Sequence, residues 1–410
     1  MPASQLRIAM LSVHSCPVGN LGAKDTGGMS VYIRELAREL GRQGHLLDIY
    51  TRVHDPQDPQ IINLGENARL IHLTAGGDEA LSRLAVYPYL PEFTGNLEDF
   101  CRRNGLHYDL IFSHYWLSGC VGRYLQQLWQ VPHIIMFHTL GAVKNAIGIG
   151  RQEPEIRVAT ERELTRSCHR VIASTEREKG NLIRYYGAPP ERIGVVPCGV
   201  NLERFKPVAK GAARRQLGFN DGKIILFVGR IEPLKGIDRL LAAISYLPKI
   251  RGLRVVIIGG DGNSQQEIAE LQGLSAKLGI PDLVTFLGPV GQEQLPYFYS
   301  AADVCVVPSY YESFGLVALE SLACGTPVVA SDVGDLKNII IPGETGYVVA
   351  GNNPRHLAEK IALILAKTDG ETISAPSLRA SVARFNWSSI AALVLEEFNL
   401  VLADYLAQVR

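Results

Sequence analysis

The chain has 410 residues, a length that predicts about two or three globular domains. Its 41 lysines and arginines balance 41 aspartates and glutamates, and this zero net charge excludes a global field that would recruit nucleic acid or an anionic membrane. With 47% hydrophobic and 20% charged residues, the composition is that of a globular protein with sizeable cores and excludes a disordered chain.

The first half of the chain alternates short apolar runs with helical patterns. Such runs are typical of strands in a parallel sheet covered on both faces, and the helices provide the crossovers that parallel strands need. The helix predicted at Ser30–Gly44 carries an apolar stripe along one side. The predicted strands are Ile8–Val13, Leu46–Thr51, Leu110–Ser113, His133–His138 and Val171–Ser174.

A second alternation begins after a stretch without a strand or core pattern. Gly199–Asn201 and the small, basic residues Ala209–Arg215 predict a hinge linker. The strands predicted beyond it are Ile224–Gly229, Arg254–Gly259, Val284–Leu287, Val304–Pro308 and Pro327–Ser331, and the helices are Gly236–Leu247, Ser264–Leu278, Glu293–Ala301 and Gly315–Ala323. The chain therefore predicts an α/β fold of two open, Rossmann-like parallel-sheet domains that face each other across a cleft.

The last predicted helix, Ser388–Gln408, is apolar over most of its circumference. Glu396, Glu397 and Asp404 interrupt it and it has no basic face, which favours docking on protein over binding to a membrane. The expected division is an N-terminal, acceptor-side domain at 1–205, a C-terminal, nucleotide-sugar-binding domain at 206–385, and a helix at 386–410 that returns to the N-terminal domain.

Loops at the carboxyl ends of the strands are the candidate sites, because ligands of open α/β sheets bind there. Gly22–Met29 follows the first strand and places Gly27 and Gly28 directly before a helix. Paired glycines let the backbone approach a ligand closely, and the free N–H groups of a helix start can bind an anion. A plain turn is the alternative.

Two cations follow the first strand of the second domain. Arg230 and Lys235 lie in the loop Gly229–Gly236, before a helix, and together can clamp a diphosphate without a metal. Unrelated surface cations are the alternative.

Two glutamates frame the segment Glu312–Glu320. If the helix begins near Gly315, the second glutamate lies on it slightly over two turns from the first, and both carboxylates can face one edge of the cleft and bind sugar hydroxyls. The alternative of two solvated glutamates is disfavoured by the mainly apolar or small residues between them.

Polar groups also end two strands of the first domain. His138 leaves a very apolar strand, where a lone histidine is more often a core residue, but its place at the carboxyl end favours a site. Ser113–Gly119 is rich in hydroxyl and aromatic groups that bind polyols. By contrast, Gly260–Gly262 lacks the third glycine of a dinucleotide fingerprint, since Gln265 stands there, which removes the main support for hydride transfer.

Taken together and in this order, the loops resemble the retaining family 4 glycosyltransferases of the GT-B fold, over essentially the whole chain. Within that family, residues 113–119 and 138–145 look most like the subgroup of the inositol-phosphate N-acetylglucosaminyltransferase of mycothiol synthesis and the sucrose-phosphate synthases. The segments that carry the resemblance are Gly27–Met29, Gly229–Gly236, Glu312–Glu320, Pro327–Ser331 and Phe385–Trp387.

The resemblance implies transfer of a hexosyl group, glucose or N-acetylglucosamine, from a UDP-sugar by a front-face mechanism with retention. The leaving phosphate itself would deprotonate the acceptor hydroxyl, so no carboxylate pair of the glycosidase kind is needed. The resemblance also implies no covalently bound cofactor, and no metal for the chemistry, because two cations neutralise the leaving group. The catalytic residues it implies are His138, Arg230, Lys235 and Glu312. The donor-binding residues are Gly27, Gly28, Arg230, Lys235, Glu312, Phe314, Gly315, Leu316 and Glu320, with Glu320 on the ribose.

On the acceptor side, the resemblance implies a phosphorylated polyol or sugar. Arg83 stands where the inositol-phosphate enzymes carry lysine, and Leu84–Leu90 departs from their pattern. A pairing of Arg157 with Glu153 or Glu161 on its own helix is the alternative to phosphate binding. The acceptor residues implied are Arg83, Tyr115, Thr139, Lys144 and Arg157.

Three other functions remain open at this point. One is transfer to fructose or its phosphate, as in sucrose synthases and sucrose-phosphate synthases. A sugar phosphorylase or epimerase is the second, although no signature of a pyridoxal pocket is present. The third is a non-catalytic two-domain sugar-binding protein, which would need neither His138 nor the two cations of the Gly229–Gly236 loop.

The cysteines and the apolar runs predict the cellular compartment of the protein. The seven cysteines are scattered without a Cys-x-x-Cys pair, which predicts neither disulfides nor a zinc site and favours a reducing, cytoplasmic compartment. No run is long enough for a membrane span, and residues 1–13 do not read as a signal peptide. We expect small-molecule partners only, with a homodimer left open.

Overall fold

The computed structural model describes residues 5–19, 26–77, 79, 81–219, 221–351, 353–366 and 374–409. The first part of the predicted glycine loop, residues 22–25, lies outside the described residues.

Eight described strands form one sheet, which we call the N-terminal sheet, in the order β3-β4-β2-β1-β5-β6-β7-β8. All neighbours are parallel except β3 and β4. Its central strands are buried on both faces, as the apolar runs predict. The strands are β1 (Arg7–Leu11), β2 (Leu46–Arg52), β3 (Ile61–Gly65), β4 (Ala68–Leu73), β5 (Leu110–His114), β6 (His133–Met136), β7 (Arg170–Ala173) and β8 (Ile193–Val195).

The C-terminal sheet contains six described strands, all parallel, in the order β11-β10-β9-β12-β13-β14. In both sheets the strand order reverses beside the first strand of the sheet, which creates the crevice where open α/β folds bind ligands. The strands are β9 (Ile224–Val228), β10 (Arg254–Ile258), β11 (Val284–Gly288), β12 (Val304–Val307), β13 (Val328–Ser331) and β14 (Gly346–Val349).

Helices cover both sheets. The described helices are α1 (Gly28–Arg42), α2 (Leu90–Arg103), α3 (Tyr115–Trp129), α4 (Gly141–Ile147), α5 (Glu155–Ser167), α6 (Glu176–Tyr186), α7 (Lys210–Gln216), α8 (Ile237–Ser245), α9 (Gln265–Lys277), α10 (Leu295–Ala301), α11 (Leu316–Ala323), α12 (Leu336–Ile339), α13 (Pro354–Leu365), α14 (Ala375–Ser381) and α15 (Trp387–Val409). Short 3-10 turns lie at Arg83–Tyr89, Pro190–Arg192, Pro233–Lys235, Gly262–Ser264, Pro281–Leu283 and Ala383–Phe385.

Every strand and helix predicted from the sequence forms, with ends that differ by at most two residues. Within the segment predicted as a hinge linker, residues Ala209–Arg215 coincide largely with α7, a helix that the sequence analysis did not predict. Alanine, lysine, arginine and glutamine all favour helix, and Ala213 is buried. Arg214 fixes this helix to the C-terminal sheet through the carbonyl of Ala301 (3.1 Å) and the carboxylate of Asp303 (2.8 Å).

The last helix returns from the C-terminal sheet to the N-terminal one. It packs against α1, and Phe398 contacts the ring of Phe112 in β5 at 5.3 Å between centroids. The two crossing segments meet where Val200 bridges to Asn386. We propose domain boundaries near residues 205 and 385 on this basis. In the ranges described, no helix is long and apolar enough to cross a membrane.

Candidate active site

The carboxyl ends of the two sheets face a common cavity of about 280 Å³. It collects most of the predicted site residues from both halves of the chain. From the N-terminal half these are Gly27, Gly28, Arg83, Tyr115, His138 and Thr139, and from the C-terminal half Arg230, Lys235, Glu312, Phe314, Gly315, Leu316 and Glu320. Lys144 and Arg157 do not line it.

Two of these residues adopt a backbone conformation that side chains other than glycine rarely take. Tyr115 follows β5 with φ +74°, and His138 follows β6 with φ +61°. The amide of Thr139 donates to the carbonyl of Phe137 at 2.7 Å, which closes a tight γ-turn around His138. Such strain concentrates at binding and catalytic positions, so its occurrence at two neighbouring strand ends supports a site here.

The glycine pair lets the two halves of the chain meet at the cavity. A β-carbon at Gly28 would lie 3.1 Å from Leu316 Cδ1, and one at Gly27 would lie 3.8 Å from Arg230 Nε. Ser174 closes the same interface, because its hydroxyl donates to the carbonyl of Ser313 at 3.2 Å. The structure therefore holds the cleft with its two walls in contact.

Carboxylates hold both predicted diphosphate cations. Lys235 Nζ lies 2.7 Å from Glu312 Oε1, and Arg230 lies 2.9 Å from the carboxylate of Glu232. Lys235 ends a 3-10 turn, and Gly236 with φ +67° is the N-cap of α8, so the cation lies just before the helix as predicted. Because these pairs are partly exposed, they are weak enough for a diphosphate to replace the carboxylates.

Glu320 lies deeper than Glu312. Its side chain is almost entirely buried and accepts a hydrogen bond from the hydroxyl of Tyr299 at 2.7 Å. Burial raises the pKa of Glu320 to about 7, against the partial compensation of that hydrogen bond. The two glutamates are thus not equivalent: Glu312 pairs with a lysine, whereas Glu320 titrates near neutral pH.

Arg157 lies behind the acceptor-side wall of the cavity. Its guanidinium pairs with Glu161 at 2.7 Å and with Glu153 at 2.8 Å. It also donates to the carbonyl of Thr139 at 2.8 Å and to the Thr139 hydroxyl at 3.0 Å, and it covers the ring of Tyr115. Burial lowers the pKa of Arg157, but Glu161 and its other anionic neighbours outweigh this and raise it.

The sequence allowed a pairing of Arg157 with Glu153 or Glu161, and the structure shows pairing with both, although Glu153 lies just before α5. The Arg157–Glu161 pair is buried and not the surface pair that the spacing indicated. Lys144 also pairs with Glu153, and neither Lys144 nor Arg157 lines the cavity, so their contact with the acceptor stays a prediction. Arg157 supports Thr139 directly, through its carbonyl and its hydroxyl.

Among the cavity-lining residues that sequence reasoning missed are two polar ones at strand ends, His14 and Ser174. His14 is buried beside Tyr115 with its ring centroid 4.4 Å away, and burial, followed by the charge of Arg83, lowers its pKa. Each lies at the carboxyl end of a predicted strand, the same signal that identified His138. Applied to every strand, that rule would have found them.

Two family models match the chain. The model described as glycosyltransferase family 4 matches residues 26–204, and the model of glycosyl transferases group 1 matches residues 210–375. A D-inositol 3-phosphate glycosyltransferase 2 from Catenulispora acidiphila is 42% identical over 408 residues, which cover 97% of this chain and 96% of the relative. The chain belongs to glycosyltransferase family 4. It is therefore an enzyme, a retaining transferase that uses a nucleotide sugar.

Other family 4 members agree with this assignment. The D-inositol 3-phosphate glycosyltransferase of Streptomyces scabiei is 41% identical, with 97% of this chain and 92% of the relative covered. The solved sucrose-phosphate synthase of Thermosynechococcus elongatus superposes with a TM-score of 0.89 at 36% identity over 98% of this chain and all of that one. Anabaena HepE with UDP and glucose, at 19% identity, matches 96% of this chain and all of that one with a TM-score of 0.75, which shows the fold alone. The predicted GT-B fold and family are confirmed.

Proposed function

We propose that the enzyme transfers N-acetylglucosamine from UDP-N-acetylglucosamine to a hydroxyl of D-inositol 3-phosphate. The observation that carries this proposal is the identity of about 40% to D-inositol 3-phosphate glycosyltransferases over the whole chain. The cavity supports it, because cations from both halves of the chain line it: Arg230 and Lys235 from the C-terminal half and Arg83 from the N-terminal half.

On the donor side, we propose that Arg230 and Lys235 exchange their carboxylate partners for the diphosphate of the UDP-sugar. The diphosphate would replace Glu232 on Arg230 and Glu312 on Lys235, which leaves the Glu312 carboxylate to accept a hydrogen bond from a hydroxyl of the transferred sugar. Two permanent cations then stabilise the charge that develops on the leaving phosphate. Retention follows if that phosphate takes the proton of the attacking hydroxyl on the same face of the sugar.

The other predicted donor contacts have matching places in the cavity. We propose that Glu320 binds the ribose hydroxyls and that the backbone amides of Phe314, Gly315 and Leu316 contact the sugar. The glycine pair Gly27–Gly28 would lie against the diphosphate from the opposite wall, where a β-carbon at Gly28 would crowd Leu316.

The chemistry is proposed to need no metal. In the described part of the chain, no cluster of three or more His, Cys, Asp or Glu side chains is placed to hold one. The cation pair can neutralise the leaving group by itself, but this remains a prediction that chelation must test.

The acceptor phosphate is proposed to bind Arg83. Of the described lysines and arginines that line the cavity, Arg83 is the one from the N-terminal half. Tyr115 and Thr139, both in contact with Arg157, line the cavity as well and can add hydroxyl groups. The guanidinium can bind phosphate through two N–H groups.

We expect glycosylation of D-inositol 3-phosphate and not of free inositol. Arg83→Ala should raise the acceptor KM by at least about tenfold, since a charge-assisted hydrogen bond contributes about 1.5–3 kcal/mol. The measurement is UDP release from UDP-N-acetylglucosamine with each acceptor, and Arg83→Lys is the matched control that keeps the charge. Equal rates on inositol and its phosphate would contradict the proposal.

Transfer from UDP-glucose to fructose 6-phosphate is the second candidate. The 36% identity and TM-score of 0.89 to a sucrose-phosphate synthase favour it, and arginine at position 83 also departs from the inositol-phosphate enzymes. The same panel, extended with UDP-glucose, fructose 6-phosphate and fructose, separates the two candidates. A clear preference for fructose 6-phosphate would replace the inositol assignment.

Donor binding should depend on pH through Glu320. Because the pKa of Glu320 is about 7, the carboxylate is ionised above pH 7 and protonated below it. The ionised form accepts the stronger hydrogen bonds, so the KM for the UDP-sugar should rise about tenfold as the pH falls from 8 to 6. Glu320→Gln should show a high KM that does not change over this range. A flat profile in the native enzyme would contradict the prediction.

A further inference from the structure

A second histidine lies behind His138. His114 ends β5 and His138 follows β6, and since these strands pair in parallel, both side chains arrive at the same edge of the sheet. His114 Nδ1 lies 2.9 Å from His138 Nε2. With Nε2 engaged in this way, Nδ1 is the ring nitrogen of His138 that remains for a ligand in the cavity.

One hydrogen bond joins the two rings, and either ring can supply its proton. Burial lowers the pKa of both His114 and His138, so both are neutral at physiological pH. A hydrogen bond between two neutral imidazoles allows two tautomer pairs. Either His114 donates its Nδ1–H, and His138 carries its own proton on Nδ1, or His138 donates from Nε2, and His114 carries its proton on Nε2.

The surroundings of His114 distinguish these pairs. His114 Nε2 is buried without a hydrogen-bond partner among the described residues, and the rings around it belong to Phe112 (4.3 Å between centroids) and Tyr32 (5.8 Å). A proton on Nε2 would be a buried donor without an acceptor, and buried N–H groups are left unpaired less often than acceptors. The proton of His114 therefore belongs on Nδ1, in the bond to His138.

We propose that His114 is a positioning residue that fixes His138 as the Nδ1–H tautomer, so that His138 presents a hydrogen-bond donor to an oxygen of the transferred sugar. The part of this inference that concerns the sugar rests on the proposed function. The strained turn at His138 fits it, because a ring forced into one orientation is useful when one particular nitrogen must face the ligand. His114 itself does not line the cavity and acts only through its neighbour.

The tautomer can be read directly by NMR. In ligand-free protein with ¹⁵N-labelled histidine, long-range ¹H–¹⁵N spectra should show His138 protonated on Nδ1 and unprotonated on Nε2, with the signals assigned by their loss in His138→Gln. His114→Asn keeps an amide donor near the position of Nδ1 and should keep this pattern. His114→Phe keeps the ring and loses the donor, and should lose the pattern.

Turnover should depend on the hydrogen-bond donor at position 114 and not on the shape of its ring. His114→Phe should lower kcat for UDP release about ten- to a hundredfold, because a buried polar atom loses its partner. His114→Asn should recover most of that loss, although it fills the space less well. A merely structural role of the ring predicts the reverse order, and that order would overturn the inference.

A native spectrum with His138 protonated on Nε2 would also overturn it. This spectrum needs no substrate, so its outcome is separate from the donor and acceptor assays that test the proposed function. Should His114→Phe fail to fold, the native spectrum and the turnover of His114→Asn still decide the question.

Discussion

Arg230→Ala and Lys235→Ala should each lower kcat by two or more orders of magnitude. Both cations line the cavity, and each pairs with a partly exposed carboxylate that an incoming diphosphate can displace. Removing a donor aimed at developing negative charge costs about 3 kcal/mol, which is roughly a hundredfold or more in rate. Turnover of UDP-N-acetylglucosamine at saturating acceptor is the measurement.

The controls separate this loss from unfolding and from metal chemistry. Lys249→Ala removes an exposed lysine from the C-terminal half of the chain, outside the cavity, and should leave both kcat and the melting temperature unchanged. The Lys235→Ala protein should melt close to the native temperature, since its lost ion pair is weak. EDTA should leave native turnover intact. Near-normal turnover in either alanine variant would refute the clamp, and activity that needs added Mg²⁺ would refute the metal-free chemistry.

The strands and helices could be predicted because each depends on its own residues. Buried parallel strands appear as apolar runs whatever their neighbours are. Four strands were missed. Two of them lack this signal, because β3 is an exposed edge strand and β8 has only three residues. The other two are β4, which is largely buried, and the four-residue β14. The helix at Lys210–Gln216 was missed because it buries little apart from Ala213, and its attachment depends on a distant carboxylate, Asp303.

The candidate site was predictable to the extent that it lies at strand ends. Rules of topology place such residues together, and the cavity contains His138, Arg230 and Lys235 as expected. The sequence could not tell whether a cation on a helix faces the cavity or a carboxylate behind it. Arg157 has glutamates four residues away on both sides, and only the packing of α5 decides that it pairs with both of them and not with a ligand in the cavity.

Arg157→Ala should destabilise the protein by about 3–5 kcal/mol, which is the cost of leaving buried carboxylates without their partner. The side chain of Glu161 is fully buried, and although the amide of Gly141 and the hydroxyl of Tyr186 also bind it, Arg157 supplies the positive charge. The measurement is the free energy of unfolding by urea.

Two variants on the same helix sharpen this test. Arg162→Ala removes an exposed arginine of α5 and should change stability by less than about 0.5 kcal/mol. Arg157→Lys keeps the charge but not the fork that reaches two carboxylates and Thr139 together, so it should recover only part of the loss. If Arg157→Ala were instead as stable as the native protein and only raised the acceptor KM, Arg157 would have to leave its glutamates and bind the acceptor phosphate directly. A supporting role predicts the opposite division: a large loss of stability, with any change in acceptor KM following from the loosened Thr139.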